Sequence, residues 1–175
     1  FNILKENIRL NGLDVEIFNI GISNKNETVD FYFNTSEIAS SSMKDLRENK
    51  ENTEIVKCQI RKLDDFIKEN NINKIDFMKI DIEGSELFAI QGGLESIKKF
   101  KPIIFCEMLR KWCKKFNYHP NDIIKLLVDI GYSCYAISNK LNKIDFVDDN
   151  TIETNFLFLD LNKERHIEKL NLING

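Results

Sequence analysis

Strand-like apolar runs and helix-period segments alternate through residues 75–137 of this chain, and few folds accommodate that order. Residues 75–82 read as a strand and 103–106 as an unbroken apolar strand behind Pro102. Between them, 85–99 read as a helix in which Leu87, Ile90, Leu94 and Ile97 recur at intervals of three, four and three residues. Pro120 stands at the first position of the next helix, whose face is Ile123, Leu126, Leu127 and Ile130, and Gly131 closes it before a strand at 133–137. Strand, helix, strand, helix, strand predicts an α/β fold with a parallel sheet and crossover helices. The run 103–106 has no polar face, as expected of a central strand covered on both sides.

The flanking segments are read from the same signals. Residues 1–11 carry Ile3, Leu4, Ile8 and Leu10 at helical spacing, with Gly12 as the stop. Strands are expected at 15–22 and 28–33, the second with Val29, Phe31 and Phe33 on one face, and the polar turn Asn24-Lys25-Asn26 suggests that they pair as a hairpin. Residues 34–53 are polar, with Ser40, Ser41 and Ser42 near their centre, and suit a mobile loop or lid. A strand at 55–60, a short helix at 63–69, a strand at 155–161 and a polar tail at 162–175 complete the reading. Gly92 and Gly93 interrupt a helical pattern, which suits close packing or a kink.

Length and charge narrow the function classes. With 175 residues and 42% hydrophobic content the chain supports one core, and a net charge of -3 gives no field to attract nucleic acid or an anionic membrane. No apolar run reaches the roughly 20 residues of a membrane span and no leader-like series opens the chain, so a cytoplasmic location is expected. Cys58, Cys106, Cys113 and Cys134 form no C-x-x-C pair and are expected as reduced thiols.

The candidate chemistry lies where the 75–82 strand meets its helix. Asp81, Glu83 and Glu86 fall within six residues at that turn, and open α/β sheets place their sites outside the carboxyl ends of their strands. Asp81 ends a strand that reads as buried, so an ionised group there needs a ligand, a cation or backbone donors. Glu83 and Glu86 are three residues apart and are expected on one side of the first helical turn, where Glu86 would complement the helix dipole. Glu107 repeats the pattern one strand later and can share the crevice with Asp81, where acidic neighbours and apolar walls would suit it to act as a general base. His119 either reaches that crevice or caps the helix begun by Pro120, and His166 is given no role. Asp81, Glu83 and Glu107 also present hard oxygen ligands of the kind that hold magnesium, calcium or manganese. Phosphate loops, zinc-protease motifs, nucleophile elbows and dinucleotide fingerprints are absent from the sequence.

Several of these segments together resemble the FkbM family of S-adenosylmethionine-dependent methyltransferases: K-I-D-I-E-G-S-E from Lys79, the helix with Gly92-Gly93, and K-P-I-I-F-C-E from Lys101. Leu63-Asp64-Asp65-Phe66 and Glu153-Thr154-Asn155-Phe156 fit the same family. The resemblance implies a Rossmann-like methyltransferase domain over residues 1–161, with S-adenosylmethionine as cofactor and a hydroxyl on a sugar, glycan or secondary metabolite as acceptor. Asp81 would lie where the cofactor meets the acceptor, Gly21, Ile22 and Ser23 near the adenine, and Glu83, Glu107 and His119 beside the acceptor hydroxyl. By the same resemblance, the glycine-rich cofactor turn and two central strands would fall before Phe1. The sheet is then expected to have a gap whose exposed edges favour self-association. An inactive fragment serving as an interaction module, and metal-dependent sugar binding or hydrolysis at the acidic turn, are the alternatives.

Overall fold

A computed structural model describes residues 1–35, 41–45 and 53–174. The chain opens with helix α1 (Asn2–Leu10), none of whose residues is buried. Strands β1 (Gly21–Ser23), β2 (Glu27–Asn34) and β3 (Thr53–Lys62) form a sheet of order β1-β3-β2. The expected hairpin is not formed. β3 lies between the other two, parallel to β1 and antiparallel to β2, with Ile60 opposite both Gly21 and Glu27. The turn at 24–26 leads over the end of β3 because the Asn26 side chain is pinned there, donating to Asp65 at 2.6 Å and accepting from the Lys62 amide at 2.7 Å. The expected strand at 15–22 also shrinks to β1, with Val15 and Phe18 exposed. Among the described residues β1 pairs only with β3, which gives residues 15–20 no second strand to lie against.

The larger sheet has β4 (Phe77–Ile80), β5 (Ile103–Glu107), β6 (Ser133–Ile137), β7 (Leu141–Ile144) and β8 (Asn155–Leu159) in the order β4-β5-β8-β6-β7. β4 and β5 are parallel, and β8 runs antiparallel to both β5 and β6. The sheet is therefore mixed rather than parallel, although β4, β5 and β6 keep the common direction that crossover helices impose. β7, which strand periodicity did not reveal, returns on β6 through a polar turn in which the Ser138 amide donates to the Lys140 carbonyl at 3.1 Å. β4 is an edge strand, not the buried strand expected. Phe77 is 55% exposed and only Ile80 is buried, because a strand with one neighbour leaves its other flank open.

Helix α2 (Leu63–Glu69) follows β3 directly. The expected helix at 85–99 is two, α3 (Glu86–Gly92) and α4 (Leu94–Phe100). A Cβ on Gly92 would stand 1.9 Å from the Ser23 carbonyl oxygen, and one on Gly93 would stand 2.7 Å from Leu63 Cδ2. Backbone contact with β1 and α2 thus requires the glycine pair, and α3 becomes the element joining the two sheets. Helices α5 (Arg110–Lys115) and α6 (Pro120–Val128) follow β5. Ile90, Ile97, Ile104, Ile123, Leu127 and Phe158 are fully buried in the main core. Tyr135, Leu157 and Leu159 form a smaller core with Leu170 on the opposite face of the sheet, so β5 is an interior strand with Ile104 and Cys106 buried on one face and Ile103 and Phe105 half-buried on the other, while β8 holds the centre. The cysteines are free thiols, three of them buried.

The polar tail is a helix, α7 (Glu164–Asn174). It is held by Arg165, which donates to Asp76 at 2.7 Å and to the Lys101 carbonyl at 2.8 Å, and by His166, whose Nδ1 accepts from the Asp160 amide at 2.9 Å. His166 is wholly buried beside a Lys101–Asp160 ion pair of 2.9 Å. Burial, with the Arg165 charge, lowers its pKa below the ordinary 6.5. The unfolded chain then takes up the proton first, so this contribution is complete above about pH 6.5 and is lost as pH falls through the folded pKa. The stability advantage of the wild type over His166→Asn should accordingly shrink between about pH 7.5 and pH 5.5 in urea unfolding. A difference that stays constant over that range would show that His166 does not titrate on unfolding.

Candidate active site

The acidic turn begins where β4 stops. Glu83 has φ of 53° and Gly84 of 98°, so the chain passes through two successive left-handed residues before α3. That path lies against α5, since a Cβ on Gly84 would meet the Phe116 ring at 2.8 Å and the Trp112 carbonyl carbon at 3.1 Å. Glu86 does not share a helical face with Glu83, as three-residue spacing suggested, because Glu83 precedes the helix. It turns inward instead, with 2% of its surface exposed. Its Oε1 accepts from the Gly84 amide at 3.0 Å and the Ile82 amide at 3.2 Å, and its Oε2 accepts from the Tyr118 hydroxyl at 2.9 Å. From the other side the buried Ser42 hydroxyl donates to the Glu83 carbonyl at 2.9 Å, while the Ser42 backbone bridges to Tyr32. Part of the serine-bearing loop is thus anchored on the turn; Ser40 lies outside the described residues.

Register brings the carboxylates together. Ile80 is opposite Cys106 in the parallel β4–β5 pair, so the next residues, Asp81 just past β4 and Glu107 at the end of β5, stand side by side. Oxygens of Asp81, Glu83 and Glu107 all lie within 4.8 Å of one another. The Lys79 ammonium stands 2.5 Å from Asp81 Oδ2. That bond, and the hydrogen bond from Glu107, hold the Asp81 carboxyl below the usual carboxylate range. Partial burial, the bond to Asp81 and the charges of Glu83 and Glu86 push Glu107 up to about 7. The pair therefore shares a proton near neutrality, with Glu107 as its keeper. Three carboxylates at this spacing also suit a hard divalent cation, although Lys79 and the shared proton already offset part of their charge.

His119 is exposed and caps α6, its Nδ1 accepting from the Asn121 amide at 3.3 Å while Asp122 accepts from the His119 amide at 2.8 Å. Of its two expected positions, the structure gives it the helix cap. Two cavities flank the turn and share Phe31 and Ile82. One, of about 230 Å³, is lined by Asn19, Gly21, Ile22, Gln59 and Ile60, and the other, of about 400 Å³, by Ser41, Asp81 and Glu83. Gly21 and Ile22 thus face the smaller cavity; Ser23 is buried with its carbonyl beneath Gly92.

The family model for the methyltransferase FkbM domain matches residues 2–134. The chain belongs to the FkbM methyltransferase family. No curated protein and no solved structure matches it. The FkbM match contains the acidic turn, Glu107, His119 and the Gly21 segment, and it implies a Rossmann-like methyltransferase fold. It ends inside β6, yet β8 pairs with β5 and β6 in the same sheet. Among the described residues of this FkbM chain no helix is long and apolar enough to cross a membrane.

Lys79, Phe31, Ile82, Ser42 and Tyr118 were not expected at the site from the sequence. Lys79 alone left a signal there, since residues two apart in a strand point to one side. The others reach the site through contacts that local pattern does not encode.

Proposed function

We propose that this site serves S-adenosylmethionine-dependent methylation of a hydroxyl on a sugar, glycan or secondary metabolite. The observation that carries the reading is that Asp81, which lines one cavity and adjoins a second across Ile82, shares its proton with Glu107. The residues present suit two parts of the cofactor chemically, its base and its charged sulfur. The smaller cavity offers the amide groups of Asn19 and Gln59 between apolar walls, a lining that suits a flat heteroaromatic base, and Asp81 and Glu83 suit a neighbouring positive charge. When bound, S-adenosylmethionine supplies an electrophilic methyl group on a positively charged sulfur.

The remaining work falls to this chain's own groups. A hydroxyl is a poor nucleophile until its proton leaves, and Glu107 can take that proton once it has lost its own, above about pH 7. Asp81, held ionised by Lys79, accepts a hydrogen bond and fixes the orientation of Glu107 or of the acceptor. Phe31 and Ile82, common to both cavities, limit water between them and offer an apolar surface to a sugar or ring face.

Calorimetric titration with S-adenosylmethionine, paired with a methyl-transfer assay on Asp81→Asn, tests the reading. Saturable heat is expected from the wild type, and turnover in the variant should fall about 100-fold or more with an unchanged thermal midpoint. Near-normal turnover would remove Asp81 from the mechanism. The open edges of β1 and β4 and the exposed α1 favour a second reading, an interaction module; absent heat together with concentration-dependent sedimentation would decide for it.

A further inference from the structure

We propose that Glu86 is a positioning residue: through its carboxylate it holds the turn bearing Asp81 and Glu83 in register with Glu107, and Tyr118 in turn fixes Glu86. The consequence for turnover rests on the methyltransferase reading; the structural coupling does not.

A carboxylate with 2% exposure is costly to bury, and here hydrogen-bond donors converge on both of its oxygens. Two of the donors are the Ile82 and Gly84 amides, which flank Glu83 and would otherwise lie unpaired under the turn. Glu83 needs that support. A non-glycine residue in the left-handed region persists only where its surroundings over-determine it. Mutual repulsion among Asp81, Glu83 and Glu107 also works to open the cluster.

The third donor comes from elsewhere in the fold. Tyr118 lies between α5 and α6, in the segment that follows β5, and its ring packs edge-on against Phe88 at 6.0 Å between centroids. Burial and the Glu86 charge push its pKa up, so the hydroxyl stays a donor. One side chain therefore ties the turn after β4 to the segment after β5. Asp81 heads the first of these segments, and Glu107, the last residue of β5, immediately precedes the second, so a loss of either bond should loosen their mutual placement.

Amide hydrogen exchange and methyl transfer on Glu86→Ala, Glu86→Gln and Tyr118→Phe test this. In the alanine variant, exchange at Ile82 and Gly84 should quicken about tenfold or more, while Ile104 and Phe158 in the core keep their protection. Glutamine retains an acceptor for both amides and should hold them within about threefold of wild type, with Tyr118→Phe in between. Unchanged exchange at Ile82 and Gly84 in the alanine variant overturns the proposal. So does a glutamine variant as fast as alanine, since charge rather than position would then be the cause. If alanine unfolds the core as well, Tyr118→Phe decides, and wild-type exchange at Gly84 there sinks the idea. In the transfer assay kcat should fall in the alanine variant with little change in KM for the cofactor, and glutamine should restore it. Failure of that rescue counts against positioning. A wild type without transfer activity removes the methyltransferase reading and leaves the exchange result to judge Glu86.

Discussion

Gly92→Ala is expected to lower stability by about 3 kcal/mol or more, and the thermal midpoint by about 6–12 °C. The added Cβ would stand 1.9 Å from the Ser23 carbonyl oxygen, 2.8 Å from its carbon and 3.1 Å from Asn24 Cα. All three atoms are backbone, so no side chain can rotate away. The helix must lift off β1 or the strand must shift. Either movement strikes at the joint between the two sheets, because α3 packs directly on β1. Thermal unfolding of the purified variant measures the effect, and a midpoint within about 2 °C of wild type would mean that α3 and β1 do not touch in this way.

Glu107→Gln should act in opposite directions on activity and stability. Loss of a general base costs about 100- to 10,000-fold in turnover. Stability moves the other way above neutrality. The folded-state pKa of about 7 lies above the ordinary 4.5, so folding retains this proton, and the stability it brings is complete below about pH 4.5 and is lost as pH rises through about 7. At pH 8 the wild type carries a crowded, partly buried carboxylate that glutamine does not, and the variant should be the more stable protein. At pH 5 most of that advantage should be gone. Urea unfolding at both pH values, with the pH profile of wild-type turnover, checks the pair of effects. A profile without a rise near pH 7 would deny Glu107 the role of base.

The two carboxylates of that pair were legible from sequence because their adjacency follows from a simple rule: parallel neighbours end on the same side of a sheet. Asp81 and Glu107 each follow an apolar run, and the β4–β5 register brings them together. The helices at 1–11, 63–69 and from Pro120 were legible for a similar reason, since periodicity is local, whereas 85–99 was read as one helix and the glycine pair only as a site of close packing or a kink. Strand partners were less accessible. Nothing within 15–33 indicates that β3 will insert between β1 and β2, because that pairing depends on residues far along the chain. Glu86 was read as a complement to the helix dipole on a side shared with Glu83, and its burial depends on a tyrosine hydroxyl 32 positions away. His119 shows the opposite case. Asp122 three residues after it forms a capping box with local, readable parts, and proximity to Glu107 in sequence was the weaker guide.

The position of β8 bears on how this protein is made. It pairs with β5 on one side and β6 on the other, yet of the described strands it is the last to leave the ribosome. Until Asn155–Leu159 emerges, β5 and β6 have no strand between them, and the apolar faces that Phe156 and Phe158 will cover stay open. Folding of the larger sheet must then wait until every strand from β4 to β8 has emerged, rather than proceeding strand by strand as the chain is synthesised.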